Sequence, residues 1–227
     1  MILASRSQPL MPRSAPRDPP RPSFAPSTTK PRGAPHKVRI IGGLWKRSPL
    51  TVIDGPGVRP TPDRVRETLF NWLTYQFGGS LEGLSVLDAY AGTGALGFEA
   101  ASRGAAQVVL IENNAAAVRN LHAAREKLKA TGVEIRQADA VAALGFLAAH
   151  GPAFDIVFLD PPYGAGGLQR CLPLAARLLK PDGCIYAESE AYLPELLSDC
   201  PALLEPYELL RADKAGQVFY HLLRCKI

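Results

Sequence analysis

The chain has 227 residues, a formal net charge of +5 and four cysteines. This length allows one domain of roughly 190 residues, with a sizeable core and an appendage. No apolar stretch approaches the ~20 residues of a membrane span, and the unrelated cysteine spacings favour buried, reduced thiols over a disulfide framework or a metal site.

The basic charge is concentrated at the front of the chain. Residues 1–66 carry 13 Lys/Arg against 3 Asp/Glu, a balance of +10, whereas residues 67–227 have a balance of −5. Contact with a polyanion, nucleic acid first, is therefore predicted for the front, although a solubilising tail would have a similar composition.

The first 37 residues are predicted to be a disordered tail. They hold 9 of the 21 prolines and a single acid, Asp18, so they cannot bury enough surface to fold alone. They lack the apolar core of a secretory signal, which favours a cytoplasmic protein. A mitochondrial transit peptide is an alternative interpretation of the Arg-rich, acid-poor composition.

Residues 38–80 are predicted to form a hairpin followed by a helix, and together to face RNA. Apolar and polar positions alternate around Gly42-Gly43, which indicates a hairpin. Thr61 is the predicted capping hydroxyl and Pro62 the first helical residue of a helix that ends near Phe77. Its apolar face is expected to contain Val65, Leu69, Trp72, Leu73 and Gln76.

Cations of this region and of the C-terminal hairpin are candidate RNA contacts. Phosphate groups attract Lys and Arg wherever those side chains are exposed. For the two helical arginines, a merely solvated helix face is the alternative interpretation. The predicted RNA-binding set is Arg39, Lys46, Arg47, Arg59, Arg64, Arg66, Arg211 and Lys214.

From Ser85 onward strands and helices alternate, which predicts an α/β domain over residues 81–227. Its sheet is expected to be doubly wound, mostly parallel and seven-stranded. Predicted strands are 85–89, 107–112, 133–138, 154–160 and 183–188, and predicted helices lie near 95–103, 114–130, 140–149 and 167–180. After Ala202 two further strands, 204–212 and 217–226, joined by residues 213–216, predict an antiparallel hairpin at the end of the sheet.

A glycine-rich turn follows the first of these strands. Gly92, Gly94 and Gly97 satisfy the G-x-G-x-x-G pattern of dinucleotide sites, and Glu112 ends the next strand. Asp88, however, lies four residues before the first glycine, where a carboxylate would repel a pyrophosphate and attract an amine. S-adenosylmethionine carries a cationic amine and a sulfonium, so it is the favoured cofactor.

The predicted cofactor contacts lie at the ends of the strands. Asp88 and the Gly92/Gly94 turn would hold the methionine part, Glu112 would accept the ribose hydroxyls, and Asp139 would receive the adenine amino group. For Glu112 and Asp139, ordinary helix capping is the alternative. The full predicted set is Asp88, Tyr90, Gly92, Thr93, Gly94, Glu112, Asn113, Asp139, Ala140 and Asp160.

The segment Phe154–Tyr163, F-D-I-V-F-L-D-P-P-Y, is the predicted catalytic centre. An apolar strand buried on both faces ends at Asp160, because two prolines cannot continue a sheet. The Asp160 carboxylate and the Pro161 carbonyl only accept hydrogen bonds, which suits an –NH2 group with two donors. Tyr163 offers a face for stacking a base, and Pro162 completes the set. A solvent-exposed turn is the alternative.

These motifs together resemble the RsmD-type methyltransferases. The matching residues are R-I-I-G-G at 39–43, R-P-T-P-D-R-V-R-E-T-L-F-N-W-L at 59–73, A-G-T-G-A-L-G-F-E-A at 91–100 and L-D-P-P-Y at 159–163. The resemblance covers residues ~38–226. It implies a class I, S-adenosylmethionine-dependent enzyme. The resemblance also implies methylation of the 2-amino group of one guanine in 16S rRNA, within the 30S subunit or a late precursor. We further expect a monomer that needs no metal.

Two other classes of function compete with this hypothesis. The diproline motif alone would also suit an amino-group methyltransferase acting on DNA adenine or on a protein glutamine. A non-catalytic RNA-binding assembly factor could retain the same fold. The basic N-terminal region argues against a methyltransferase of DNA or protein. The presence of every motif acid argues against a non-catalytic factor.

Overall fold

The computed structural model describes residues 37–52, 61–164 and 166–226. The predicted disordered tail, apart from Lys37, and the predicted RNA contact at Arg59 lie outside the described residues. Of the helices that the structure describes, none is both long and apolar enough to cross a membrane.

The N-terminal region is a hairpin followed by a helix, as predicted. Strand β1 (Lys37–Arg39) pairs antiparallel with β2 (Pro49–Thr51), and helix α1 spans Asp63–Gln76. Pro62 is the N-cap of α1, and no side chain caps this end. The predicted capping role of Thr61 is therefore wrong: its hydroxyl donates instead to Glu188 at 2.9 Å.

Within the described residues, seven strands form one sheet in the order β5-β4-β3-β6-β7-β9-β8. They are β3 (Ser85–Asp88), β4 (Gln107–Glu112), β5 (Val133–Gln137), β6 (Phe154–Leu159), β7 (Leu179–Ser189), β8 (Tyr207–Ala215) and β9 (Val218–Cys225). All pairs from β5 to β7 are parallel, and β9 pairs antiparallel with both β7 and β8. The predicted doubly wound sheet and its terminal hairpin are confirmed.

Helices cover both faces of the sheet. They are α2 (Ala95–Ser102), α3 (Ala115–Leu128), α4 (Ala140–His150), α5 (Gly167–Ala176) and the short α6 (Leu193–Leu196). Buried side chains of α1, α2 and α3 share one core with one face of the sheet, and those of α4 and α5 share a second core with the other face. The order in which the chain adds strands to the sheet reverses between β3 and β6, and in such sheets the crevice beside the carboxyl ends of these strands binds ligands.

Three predicted boundaries are wrong. Helix α5 ends at Ala176, not near 180, and β7 begins at Leu179, four residues before the predicted start. Strand β8 continues to Ala215, so the hairpin turn consists of Gly216 and Gln217, not of residues 213–216. Arg211 and Lys214 consequently lie on a strand.

The four cysteines all fall among the described residues, and all are free. Cys171 and Cys184 are buried as expected. Cys200 is exposed and Cys225 is half-buried, so the prediction of buried thiols holds for only part of the set.

Candidate active site

Three acidic side chains lie together at the carboxyl ends of three neighbouring strands. Asp88 ends β3, Asp160 directly follows β6, and Glu188 is the penultimate residue of β7. Asp88 pairs with Phe158, and Phe158 with Tyr186. Because side chains alternate along a strand, Asp88, Asp160 and Glu188 project from the same face of the sheet.

The shared environment of these acids disfavours their negative charge. Burial, and then the charges of Glu112 and Glu188, raise the pKa of Asp88 to about 7, although backbone N–H groups donate to it. Burial and the charges of Glu188 and Asp88 raise the pKa of Asp160 well above its usual range. Burial also raises the pKa of Glu188, against the effect of its two hydroxyl donors. Such a cluster favours a ligand with positive charge or N–H groups.

The glycine turn connects Asp88 with Glu112. Gly97 N donates to Asp88 Oδ2 at 3.1 Å, and Gly92 N donates to Glu112 Oε2 at 2.8 Å. Gly94 caps α2 with φ +77°, and an added Cβ there would lie 2.6 Å from the Phe98 ring. Gly92 has φ +52°, and an added Cβ there would meet only the Tyr90 carbonyl oxygen, at 3.9 Å. The turn is therefore packed on its inner side and open at the edge of the sheet.

The other predicted cofactor residues lie along the same edge. Glu112 Oε1 also accepts from Asn114 N at 2.7 Å, which fixes the carboxylate without making it a helix cap. Asp139 caps α4, with Oδ1 accepting from Ala142 N at 2.9 Å, so the alternative prediction of helix capping is confirmed for Asp139. Its contact with adenine stays a prediction. Four further members of the set flank these groups: half-buried Tyr90 and Thr93, exposed Asn113 and buried Ala140.

The diproline turn is held against helix α5. An added Cβ on Gly167 would lie 2.5 Å from Pro161 Cβ, so a glycine at this position permits the close approach. The Tyr90 hydroxyl lies 3.1 Å from Cys171 Sγ, which places the Tyr90 ring beside the same helix. Tyr163 is 49% exposed at the mouth of the turn. The structure thus brings Asp160 beside Asp88, and Pro161, Pro162 and Tyr163 follow it in the same turn.

One predicted RNA contact is wrong. The side chain of Arg66 is fully buried, where it donates to Asp63 Oδ1 at 2.7 Å and to the Arg39 carbonyl at 2.9 Å. Its Nη1 also lies 3.9 Å from Glu99 Oε2, and Glu99 in turn accepts from the backbone of Ile41. Arg66 therefore attaches the hairpin to helices α1 and α2, and it is inaccessible to RNA.

The other predicted RNA contacts within the described residues are exposed. Arg39 forms an exposed ion pair with Asp63, and Lys214 Nζ lies 4.4 Å from the centre of the Phe219 ring. Hydrogen bonds from Lys214 N and the Tyr220 hydroxyl lower the pKa of Asp213, and the charge of Arg64 lowers it further. This interaction places the first turn of α1 near the β8–β9 hairpin. The exposed set is Arg39, Lys46, Arg47, Arg64, Arg211 and Lys214.

Sequence reasoning did not identify Glu188 or the hydroxyl of Thr61 as parts of the site. Glu188 is 3% exposed, and its Oε1 accepts from Thr61 Oγ1 at 2.9 Å and from Tyr186 Oη at 2.8 Å. The available signal was an acid that ends the apolar run Cys184–Ala187, as Asp160 ends its own.

Comparisons with known proteins agree with this fold. Residues 38–224 match the model of the family described as conserved hypothetical protein 95. Over 187 residues, 82% of this chain and 89% of the relative, the sequence is 40% identical to Ribosomal RNA small subunit methyltransferase D of Escherichia coli K12. A protein of the same name from Haemophilus influenzae is 38% identical over 192 residues, 82% of this chain and 93% of its own.

A solved structure has the same architecture. The putative methyltransferase yhhF from Escherichia coli has a TM-score of 0.69 and 38% identity, and the match covers 84% of this chain and 99% of that one. The class I methyltransferase fold and the resemblance predicted from the motifs are both confirmed. Since the family match and the relatives each span most of the chain, the protein belongs to the RsmD family.

Proposed function

We propose that the protein transfers a methyl group from S-adenosylmethionine to the exocyclic 2-amino group of a guanine in small-subunit ribosomal RNA. The observation that carries this proposal is the Asp160-Pro161 acceptor pair at the end of β6, beside Asp88 and the glycine turn. The names of the two bacterial relatives, which specify small-subunit ribosomal RNA, support the choice of substrate.

The crevice fits the proposed cofactor. S-adenosylmethionine supplies, when bound, a methyl group on a sulfonium that is open to attack by a nucleophile. Asp88 would hold its amine, because a buried carboxylate with a pKa of about 7 gains most from a cationic partner. The open side of Gly92 lets the ligand approach the backbone, and Glu112, already oriented by two backbone N–H groups, would accept the ribose hydroxyls. Asp139 would accept from the adenine.

The Asp-Pro-Pro-Tyr turn would hold the target base. Two acceptors, Asp160 and the Pro161 carbonyl, match the two N–H groups of an exocyclic amine. Tyr163, half exposed at the mouth, would stack on the base after it leaves its RNA context. Because an aromatic amine is a poor nucleophile, the main contribution is positioning, and well-oriented reactions recover ~7–11 kcal/mol of barrier in this way.

Asp160 also suits the proton transfer that this reaction needs. As the amino nitrogen forms its bond to the methyl carbon it becomes positively charged, and it then loses one proton. A carboxylate in contact with that nitrogen stabilises the charge. Its pKa, raised by burial and by Glu188 and Asp88, makes it a better proton acceptor than an ordinary aspartate.

The exposed cations would bind the RNA around the target. Thr61, two residues before α1, donates to Glu188 in the site, so the first turn of α1 borders the acid cluster. Arg64 extends this border towards Lys214 on the hairpin. We expect a monomer that binds 16S rRNA within the 30S subunit or a late precursor.

The test is transfer of a labelled methyl group to 30S subunits, naked 16S rRNA, DNA or no acceptor, followed by mapping of the labelled nucleotide. The wild type should label one guanine at N2. Asp160→Ala should reduce transfer by at least about 1000-fold, since it removes both a substrate acceptor and the proton acceptor.

The same variant should bind S-adenosylmethionine with nearly unchanged affinity by calorimetry. Glu126→Ala, an exposed acid on α3, is the control for charge removal and should transfer normally. Labelling of DNA adenine or of a protein would replace the proposed substrate, and wild-type turnover by Asp160→Ala would refute the proposed site.

A further inference from the structure

The carboxylate of Glu188 lies beside that of Asp160, close enough for its charge to raise the pKa of Asp160. Leu159 pairs with Ala187 in the parallel β6–β7 ladder, so the residues that follow, Asp160 and Glu188, are cross-strand neighbours. Neighbouring strands are ~4.8 Å apart. That separation is comparable with the spacing of adjacent hydrogen-bonding groups on the edge of a nucleobase.

Hydrogen bonds from the described residues reach only one of the two carboxylate oxygens of Glu188. Thr61 Oγ1 and Tyr186 Oη both donate to Oε1. The residue also borders a small cleft beside Pro161, Pro162 and Gly164. Among the described residues none donates to Oε2, so this oxygen is available to a donor that enters the cleft.

The atom next to the exocyclic amine differs between bases. In guanine the 2-amino group is flanked by N1–H, a donor. In adenine and cytosine the amino group is flanked on its Watson–Crick edge by a ring nitrogen without hydrogen, an acceptor. A carboxylate beside Asp160 would therefore attract guanine and repel the other two amine-bearing bases.

We propose that Glu188 accepts the N1–H of the target base through Oε2 and thereby selects guanine. This assignment rests on the proposed function, since it presupposes that Asp160 and Pro161 hold the 2-amino group. Glu188 is then a specificity-determining residue that touches the substrate. Thr61 and Tyr186 are positioning residues that act through it.

Neither neighbouring acid serves this purpose as well. Glu190 borders the same cleft, but it is exposed and its Oε1 lies 3.4 Å from the donor Gly164 N, so water competes for its hydrogen bonds. Asp88 accepts from the backbone of the glycine turn and thus belongs to the cofactor side. Burial matters because an unpaired buried acceptor penalises the wrong base far more than an exposed one does.

The test uses 2-aminopurine in place of the target guanine, in 30S subunits reconstituted with the substituted 16S rRNA. This base keeps the 2-amino group but has an acceptor at N1. Wild-type kcat/KM for 2-aminopurine should be at least about 100-fold below that for guanine, because Glu188 would face an acceptor.

Glu188→Gln should reverse part of this preference. Its amide keeps an oxygen for the two hydroxyl donors and offers an N–H to the N1 acceptor, so the guanine-to-2-aminopurine ratio should fall at least tenfold. The loss of O6 in 2-aminopurine affects both enzymes alike, so a change in the ratio reports N1. Glu190→Gln is the matched control and should keep the wild-type ratio.

Each possible result of these measurements supports or overturns the assignment of Glu188. A wild type that methylates 2-aminopurine within threefold of guanine overturns the assignment, and this measurement needs no variant that must fold. An unchanged ratio in a Glu188→Gln protein that still binds S-adenosylmethionine also overturns it. If the wild type labels no guanine at all, the proposed function fails and the role of Glu188 fails with it.

Discussion

Among single residues, Asp88 is the proposed contact of the cofactor amine, and its titration gives this proposal a measurable consequence. Burial raises its pKa to about 7 in the free protein. A bound ammonium would favour the ionised form, so binding below pH 7 has to remove a proton first. The Kd of S-adenosylmethionine should therefore rise on the order of tenfold between pH 7 and pH 5.5, as calorimetry in matched buffers would show.

Two variants separate Asp88 from general effects of acid. Asp88→Asn should bind weakly at every pH with little pH dependence, because the titrating group is gone. Asp155→Asn should keep the wild-type pH profile, since Asp155 lies on β6 beside Ser85 and Lys180, whose interactions hold its pKa low despite partial burial. A wild-type pH profile in Asp88→Asn would show that another group binds the amine.

At the scale of elements, the loop after β1 is attached to helix α2 by backbone hydrogen bonds. Gly42 N donates to Glu99 Oε1 at 2.8 Å, and Leu44 N donates to the Ser102 carbonyl at 2.7 Å. Gly43, between them, has φ +73°, and an added Cβ would lie only 1.8 Å from the Ser102 oxygen. The position of the basic hairpin thus depends on a glycine at 43.

Gly43→Ala should detach this loop from α2. The free energy of unfolding should fall by at least about 2 kcal/mol more than in Gly78→Ala, whose φ of +69° is similar but whose added Cβ meets open space. Amide hydrogen exchange at residues 41–45 should accelerate selectively in Gly43→Ala. Equal losses in denaturant titrations of the two variants would mean that the contact with Ser102 is unimportant.

The elements also show what local sequence could predict. Apolar runs with sharp polar ends placed β3, β4 and β6 within about a residue, and the acids ending β3 and β6 followed from the same pattern. The border between α5 and β7 could not be predicted, because the start of β7 depends on pairing across an irregularity in the β6–β7 ladder. Arg66 lies on the polar face that the sequence predicts for α1, so it was expected at the surface. Its burial could not be predicted, because its partner Glu99 is distant in the sequence.

Glu188 illustrates the same limit within the site. Its partner Thr61 is 127 residues away in the chain, so no spacing rule connects them. The residues predicted as catalytic shared one contiguous motif, whereas Glu188 reaches the site only through the pairing of β7 with β6. Local patterns identified the motif acids, and the fold was needed to add the acid that we assign to base selection.

For the molecule as a whole, positive and negative charge are concentrated in different parts of the chain. The +10 balance of residues 1–66 precedes a remainder with a balance of −5. We expect cofactor binding to depend on the acidic part, where Asp88 and Glu112 are the proposed contacts. We expect binding to ribosomal RNA to depend on the front of the chain and on a few cations such as Lys214.

Replacing the six basic residues of 1–36 by glutamine should weaken binding to 30S subunits and flatten its salt dependence, since each phosphate neutralised contributes ~0.7–0.9 to the slope of log K against log salt. The Kd of S-adenosylmethionine should not change. Arg64→Gln combined with Lys214→Gln should flatten the slope further, because these cations lie at the border of the site. If the glutamine-substituted segment leaves the slope of filter-binding titrations unaltered, its charge serves solubility alone, and RNA affinity must come from residues 37–226.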